Sequence, residues 1–505
     1  MSTTPDPSEV PYVRQFCREL SPTLLRAAAA LGGFRVEDRD EFDYCELGAG
    51  PGDSTCTLAA AYPRARFVGV DLNPAHVTFA REMAERGGLE NVRFLQRDFA
   101  ELGDEQLPPL DFVGAHGVLS WIAPDKQRAL IELAASRLKP GGLLYVSYNA
   151  LPGWAAIQPL RRLLQDAAGT AANPLDRARR ALELARVLRD GGAKYFVDSA
   201  AAGEMLDAME RVGPAYTVHE YFQEHWRPMY FADVAAQMAA AGLRFAGELP
   251  LYRNVQRLTI PAGLEAFFEA PRDRIEAAHL RDFAINMFLR QDVYVKSGLP
   301  PDPEAAAELL DGTRFGALVS ADKIHRDVRL PQREIHMPGE PFDSLLAVLC
   351  ARPATLRELS AGASLAPFAV GRLREALIDL LAGDQVTPMA PASNDAHVAD
   401  RYNRAVLQQP LLEGRPVVLA SPVAGTGIAV PGLQAVCLRL LTLVDAPDRP
   451  ASIRAFVERQ PVRLHVRDRP ITDPQEQARV IAEEVERFRV QKLPRLAALG
   501  VVAAS

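Results

Sequence analysis

The stretch Phe42-Asp43-Tyr44-Cys45-Glu46-Leu47-Gly48-Ala49-Gly50-Pro51-Gly52 constrains this chain more than any other part of it. Tyr44 to Leu47 reads as a short buried strand, and the glycines then turn the backbone into a helix that begins near Asp53 to Thr55. Three glycines within five residues remove most Cβ atoms from the turn, so a ligand can lie against bare backbone. A dinucleotide fingerprint would read G-x-G-x-x-G, with the helix N-terminus serving a pyrophosphate. Here the spacing is G-x-G-x-G, Asp53 stands where the third fingerprint glycine belongs, and an acid there repels a pyrophosphate.

The next two elements narrow the ligand. Arg66 to Asp71 is a second buried strand ending in an acid, followed by Leu72-Asn73-Pro74 and a helix. A carboxylate at the end of that strand can accept both hydroxyls of a ribose. A third strand, Val92 to Gln96, leads to Arg97-Asp98-Phe99, where a carboxylate and a ring suit an adenine. Ribose and adenine without a diphosphate is the pattern that resembles class I S-adenosylmethionine methyltransferases. That resemblance implies a site in which Glu46, Gly48, Ala49, Gly50 and Gly52 face the methionine end of the cofactor. It places Asp71 and Leu72 at the ribose, Asp98 and Phe99 at the adenine, and His116 and Gly117 along the pocket wall.

At 505 residues the chain has room for two to four domains, and 48% hydrophobic with 24% charged residues is the composition of a globular protein. A net charge of −7 argues against a nucleic-acid partner, which needs a basic face. Five cysteines (Cys17, Cys45, Cys56, Cys350, Cys437) form no C-x-x-C pair, which predicts a reducing compartment and no zinc site. No apolar run approaches the ~18 residues of a membrane span. The N-terminus lacks the basic and apolar regions of a signal peptide, so the expected location is cytoplasmic, with no membrane partner.

Strands and helices alternate up to about residue 150, with strand four at Leu110 to Ala115 and strand five at Gly142 to Ser147; this predicts a Rossmann-like, doubly wound α/β sheet. Ahead of it, Tyr12 to Leu31 reads as helix interrupted at Ser21-Pro22. Residues 155 to 215 read as a helical insertion, and Leu243 to Leu249 with Asn254 to Ile260 as an antiparallel edge pair completing the sheet. Leu264 to Leu289 has helical periodicity, and Gly298 to Pro303 reads as a linker. Further on, Ala354 to Leu359, Phe368 to Leu381 and Gln385 to Pro388 have the rhythm of a winged helix, and about 401 to 505 is a second such α+β module containing a loop at Leu419 to Gly427. The resulting division is a cofactor-binding core at 1–154, an insertion at 155–218, completion of the sheet with a regulatory-type domain at 219–300, and winged-helix-like modules at 301–400 and 401–505. The winged modules read as protein-contact or dimerising units, because the helix Gly371 to Leu381 sets only Arg372 and Arg374 against Glu375 and Asp379.

In a doubly wound sheet the ligand cleft lies at the carboxyl ends of the strands. Two loops there, Ala115 to Trp121 and Ser147 to Trp154, supply His116, Trp121, Tyr148, Asn149 and Trp154. An aromatic passage suits a lysine, burying its stem and holding the cationic head. Tyr148, Asn149 and His116 are the expected catalytic group, and Trp121, Tyr148, Trp154, His219 and Tyr221 the expected substrate contacts; core packing is the competing reading for the tryptophans. His219, Glu220 and His225 lack a fourth ligand nearby in sequence, so no metal is expected. Arg281-Asp282-Phe283 with Asn286 and Arg290 reads as a solvated or interdomain polar face.

Together, Glu46 to Gly50, His116 to Trp121, Tyr148 to Trp154 and His219-Glu220-Tyr221 resemble bacterial class I methyltransferases that carry a methyltransferase regulatory domain. That group includes lysine methyltransferases of outer-membrane proteins. The resemblance runs from about Tyr12 to Leu289, and Asn286 to Arg290, read as helical, departs from the Asn-Arg pairing usual there. It implies S-adenosylmethionine as methyl donor, S-adenosylhomocysteine as product, and a protein lysine as acceptor, with the C-terminal modules docking the substrate or a second subunit of a homodimer. The alternatives are a methyltransferase acting on a small metabolite or peptide natural product, and a non-catalytic S-adenosylmethionine-sensing protein.

Overall fold

The strand-turn-helix predicted at Phe42 to Thr55 is the centre of the architecture in a computed structural model of the chain. The structure describes residues 14–503 apart from 38, 104–106, 170–172, 224, 271–272, 297–300, 392–395, 411–414, 460–463, 467–468 and 472. The strands are β1 (Asp43–Leu47), β2 (Arg66–Asp71), β3 (Val92–Gln96), β4 (Leu110–Ala115), β5 (Leu138–Asn149), β6 (Leu243–Glu248) and β7 (Leu289–Lys296). They form one sheet in the order β3-β2-β1-β4-β5-β7-β6, parallel except for β7, which runs against both its neighbours. β1 is buried along its whole length, as a central parallel strand covered on both faces must be.

Alternation along the strands divides the core in two. Tyr44, Phe67, Phe112, Leu143 and Tyr145 face one side, against helices α1 (Pro22–Leu31), α2 (Asp53–Ala61) and α3 (Pro74–Arg86). Cys45, Val68, Val113, Leu144, Val146 and Tyr148 face the other, against α4 (Pro124–Arg137) and the helices Phe231–Ala240 and Arg274–Ala284. The first apolar cluster continues without a break into the C-terminal half, through Tyr402, Leu419 and Ala420.

The edge of the sheet differs from the expectation. β6 forms as predicted, but Leu251–Asn254 is a 3₁₀ turn and Gln256–Thr259 a helical turn, and the partner strand is β7. The preceding helix stops at Ala284, Asn286 takes a left-handed φ of 50°, and the chain enters β7 where helix was expected. Arg290 and Asp292 disguise this strand as a polar surface; both are fully buried. Arg290 Nη1 donates to Asp282 (2.6 Å) and its Nε to Asp292 (2.9 Å), while Nη2 lies 3.8 Å from Glu248. Arg281 pairs with the same Glu248, and the Arg290 guanidinium lies 3.8 Å from the centroid of the Phe231 ring. The expected solvated face at residues 281–290 is thus an interior ion cluster joining β6, β7 and the helix Arg274–Ala284.

Between β5 and β6 the chain leaves the sheet at Ala150 and returns at Met229, two residues that bridge one another. The intervening helices, Gln158–Ala167, Pro174–Asp190, Lys194–Asp198, Ala200–Val212 and Pro214–Tyr221, enclose their own core around Leu160, Leu164, Ala185, Leu206 and Met209. Beyond β7, three helices (Phe342–Ala351, Leu356–Ser360, Val370–Ala382) pack with a small sheet whose central strand is Arg314–Ala317. Leu419 to Gly427, expected as a loop, lies in a β-hairpin of Val417–Ser421 with Thr426–Val430 seated on α2. Of the linker predicted at Gly298 to Pro303, residues 298–300 lie outside the described residues, and Pro303 already opens a helix that runs to Gly312. Among the described residues no helix is long and apolar enough to cross a membrane.

Removing one partner from a buried ion cluster strands the remaining charges. Arg290→Met should therefore cost about 3–5 kcal/mol; a denaturant titration that leaves the unfolding midpoint unmoved would contradict this account of the sheet edge.

Candidate active site

The glycine turn does what its composition predicts. Gly48, Gly50 and Gly52 have φ of 75°, 53° and 79°, the left-handed region that excludes most side chains. A Cβ on Gly52 would stand 2.7 Å from Ala80 and 2.9 Å from Phe94, whereas one on Gly50 would meet nothing within 4 Å. Gly50 is therefore the point at which backbone faces open space. Its N–H donates to Asp71 Oδ2 (2.8 Å), while Asp71 Oδ1 accepts from the Asn73 N–H (2.8 Å) and lies 3.2 Å from His76 Nδ1. Those contacts fix the carboxylate at the tip of β2, with Leu72 beside it 66% exposed.

At the tip of β3, Asp98 pairs with Lys126 (2.6 Å) and caps the turn at Ala100 (3.1 Å); the Lys126 hydrogen bond holds its carboxyl below the usual range. Phe99 is half-buried against the second core. Glu46 is buried beneath the glycine turn, accepts from the Thr55 hydroxyl, and is pushed up to about 8 by burial. Asp53, the acid in the fingerprint glycine's place, opens α2 and is paired with Arg14 (2.6 Å).

On β4 and β5, His116 Nδ1 lies 2.9 Å from the Tyr145 hydroxyl, the two rings nearly parallel at 5.9 Å. Burial pushes the His116 imidazole down, which keeps it neutral near pH 7. Gly117 follows with φ 62° and open space where a Cβ would be; its N–H donates to the Ser147 hydroxyl (2.7 Å). Asn149 is 5% exposed and its Nδ2 has no hydrogen-bond partner among the described residues. The imidazole of His116 thus adjoins the open position at Gly117, backed by the fully buried phenol of Tyr145, and Asn149 lies further along the same face of β5.

Tyr148 is not part of that arrangement. Successive strand residues face opposite sides, so Tyr145, Ser147 and Asn149 share the His116 face and Tyr148 points into the second core. There it is 0% exposed and donates to Asp292 (2.7 Å) in the Arg290 cluster. Trp154 and Tyr221 likewise sit in the core of the insertion rather than lining a passage. Trp154 stacks on Phe288 (4.3 Å) and meets Trp226 edge-on (4.9 Å), and the Tyr221 hydroxyl reaches Met205 Sδ (3.3 Å). Trp121 is half-buried against that same core. His219 belongs to the helix Pro214–Tyr221, and its side chain lies outside the described residues.

The sequence reading missed the segment ahead of α1. The expected helix at Tyr12 to Leu31 starts only at Pro22; Arg14 to Cys17 is not helical and Arg18–Leu20 is a 3₁₀ turn. Ser21 is extended, as a residue before proline prefers. This strap crosses the sheet top: Arg14 pairs with Asp53, the Cys17 N–H donates to Ser54 (2.9 Å), and the Leu20 carbonyl accepts from Tyr44 (3.0 Å). Its other side is gripped by the C-terminal half, through Arg18 on Asp384 and Thr387 (2.8 Å), Ser21 on Thr426 (2.6 Å), and Arg14 on Gln409 (2.9 Å). Lys126, on the first turn of α4, is the other missed neighbour of the cleft.

Comparisons with known proteins bear on the family and the fold. A methyltransferase-domain family profile matches residues 38–192, and that of the predicted methyltransferase regulatory domain matches 213–296. An uncharacterised protein of Synechocystis is 31% identical over 98% of both chains. The fold is that of PKMT2 from Rickettsia typhi, solved in complex with AdoHcy, with a TM-score of 0.73 at 18% identity over 95% of this chain and 99% of that one. A trans-aconitate 2-methyltransferase of Methylobacterium nodulans is 40% identical over 25% of this chain and 43% of its own length. Fold and family together define an S-adenosylmethionine-dependent methyltransferase. The chain belongs to the family of such enzymes that carry a methyltransferase regulatory domain. The stretch matching that domain includes β6, β7 and the ion cluster between them, so here it completes the catalytic sheet.

Because the Tyr148 hydroxyl serves Asp292, Tyr148→Phe should lower stability by about 1–3 kcal/mol, the cost of depriving a buried acceptor. Turnover of the folded fraction should stay near wild type; a folded variant with a severely reduced transfer rate would return Tyr148 to the site.

Proposed function

We propose that this enzyme methylates lysine side chains of a protein substrate, with the acceptor entering beside Gly117. The observation that carries the reading is the His116 imidazole, backed by the Tyr145 hydroxyl at 2.9 Å, next to that open position. A lysine arrives as an ammonium and must shed a proton before its nitrogen can attack in line. His116 is placed to receive that proton, and the Asn149 Oδ1 would accept from an N–H of the neutral amine and orient it. The whole-chain likeness to PKMT2, a lysine methyltransferase by name, supports the same class of acceptor. The cofactor supplies a methyl group on a sulfonium. Its holders would be Asp71 at the ribose, Asp98 and Phe99 at the adenine, and Gly48 to Gly52 with Glu46 at the methionine end. A buried carboxylate with no cation against it among the described residues, beneath backbone that faces open space, fits a ligand that brings an ammonium.

We read the helices and small sheet of residues 314–388 as a winged-helix-like module, and take it and the C-terminal module as contacts for the protein substrate or a second subunit. A cytoplasmic enzyme is the corresponding location. Similarity to trans-aconitate 2-methyltransferase favours a second reading, a small carboxylic acid as acceptor.

Incubating the enzyme with labelled cofactor and a cell extract separates the two: label should enter the protein fraction and be recovered as methylated lysine. Label confined to small molecules would sink the lysine reading. Glu46 makes cofactor binding pH-dependent. Its folded-state value near 8 means that it is largely protonated at pH 7, and an ammonium binds its carboxylate form, so binding releases a proton below pH 8. Affinity should then rise by up to about tenfold per unit from pH 6 to 8. Calorimetry in buffers of different ionisation enthalpy should show the released proton in wild type and none in Glu46→Gln; identical proton release in both would remove Glu46 from the methionine end.

A further inference from the structure

Glu19 is the residue of the strap that nothing yet accounts for. It sits in the 3₁₀ turn Arg18–Leu20, half-buried, and among the described residues its carboxylate makes no hydrogen bond or ion pair. The turn is fixed in place. The Leu20 side chain fills the space over Gly114, where a Cβ would stand 2.5 Å from it, and the Leu20 carbonyl is held by Tyr44. Gly114 lies two residues before His116 on the same face of β4, so the turn carrying Glu19 packs one step behind the His116–Tyr145 pair. Burial chiefly raises the phenol of Tyr145 and lowers the imidazole of His116, and the charge of Glu19 adds to the first and opposes the second. The strap's two arginines do not neutralise it, because Arg14 is held by Asp53 and Arg18 by Asp384.

We propose that Glu19 is a specificity-determining residue, the negative wall that admits a cationic amine beside Gly117 and turns away a carboxylate. This deepens the lysine reading and rests on it for the identity of the acceptor. An unpaired carboxylate at the edge of a partly dry cleft attracts an ammonium and repels an acid, and such charge complementarity discriminates between partners more than it tightens either. It also gives the C-terminal half a part in the reaction. Asp384, Thr387, Gln409 and Thr426 hold the strap from outside, so they hold Glu19 where the acceptor meets it.

The test uses the full chain saturated with S-adenosylhomocysteine and two probes of equal length, n-butylammonium and butyrate. Wild type should bind the amine in the cleft, seen as ligand-dependent shifts in the His116 ring resonances, and bind butyrate at least tenfold more weakly. Glu19→Gln should lose most of that preference while its affinity for S-adenosylhomocysteine stays within twofold, and Glu19→Asp should recover part of it. In turnover with a lysine acceptor, Glu19→Gln should raise KM more than it lowers kcat. The acid limb of its pH profile should move to lower pH, since removing the anion makes His116 harder to protonate. Equal preference in Glu19→Gln and wild type, or no amine binding by wild type, overturns the proposal. The partition of label between proteins and small molecules is a separate measurement, so a failed lysine reading is distinguishable from a failed role for Glu19.

Discussion

The sheet depends on a guanidinium sealed away from water. Arg290 is fully buried between the carboxylates of Asp282 and Asp292, with Glu248 close by; its Nη2 and one oxygen each of Asp282 and Glu248 make no hydrogen bond among the described residues, so losing any one partner strands charges that are already only partly satisfied. The consequence for function is geometric. Tyr148 is tied to that cluster through Asp292, which fixes which face of β5 turns inward. With Tyr148 committed to the second core, Tyr145, Ser147 and Asn149 are obliged to face His116. A one-residue slip of β5 would reverse that set, because side chains alternate along a strand.

The cleft itself is assembled from distant parts of the chain. The residues we assign to the cofactor come from the tips of β1 to β4, the imidazole from the turn after β4, the phenol from β5, and Glu19 from a strap ahead of the first helix. The strap lies between the sheet and the C-terminal half, bonded to both. The apolar cluster that starts at Leu20 runs continuously to Leu499, so the two halves share one core and the strap cannot shift without disturbing both.

Much of this was legible in the residues themselves. Five parallel strands, the glycine turn and the acids ending β2 and β3 were readable because buried parallel strands are apolar runs and because a positive-φ turn demands glycine. What failed did so for physical reasons. β7 reads as Leu-Arg-Gln-Asp-Val-Tyr-Val-Lys, and nothing local reveals that its charges are neutralised from other elements. Tyr148 and Tyr145 both lie on β5; only the parity fixed by pairing with β4 and β7 decides between them. Trp154 and Tyr221 are aromatic in loops near the cleft, yet the insertion needed a core of its own and took them. Glu19 left no trace because its role depends on a strap whose conformation is set by partners up to four hundred residues away, Thr426 among them.

The root of the helical insertion carries one more implication. Its two ends meet at a single bridge: the Leu151 N–H donates to the Met229 carbonyl (3.0 Å), and the Met229 N–H to that of Asn149 (2.9 Å). Everything between encloses its own apolar interior, and the entropy of closing such an excursion grows only slowly with its length. The insertion is in effect an interchangeable cap on a fixed socket. Because the cap also rests on the fold through Trp154 on Phe288 and through Trp121, a change in its length or surface that keeps those contacts would alter what approaches the cleft and leave the sheet beneath as it is.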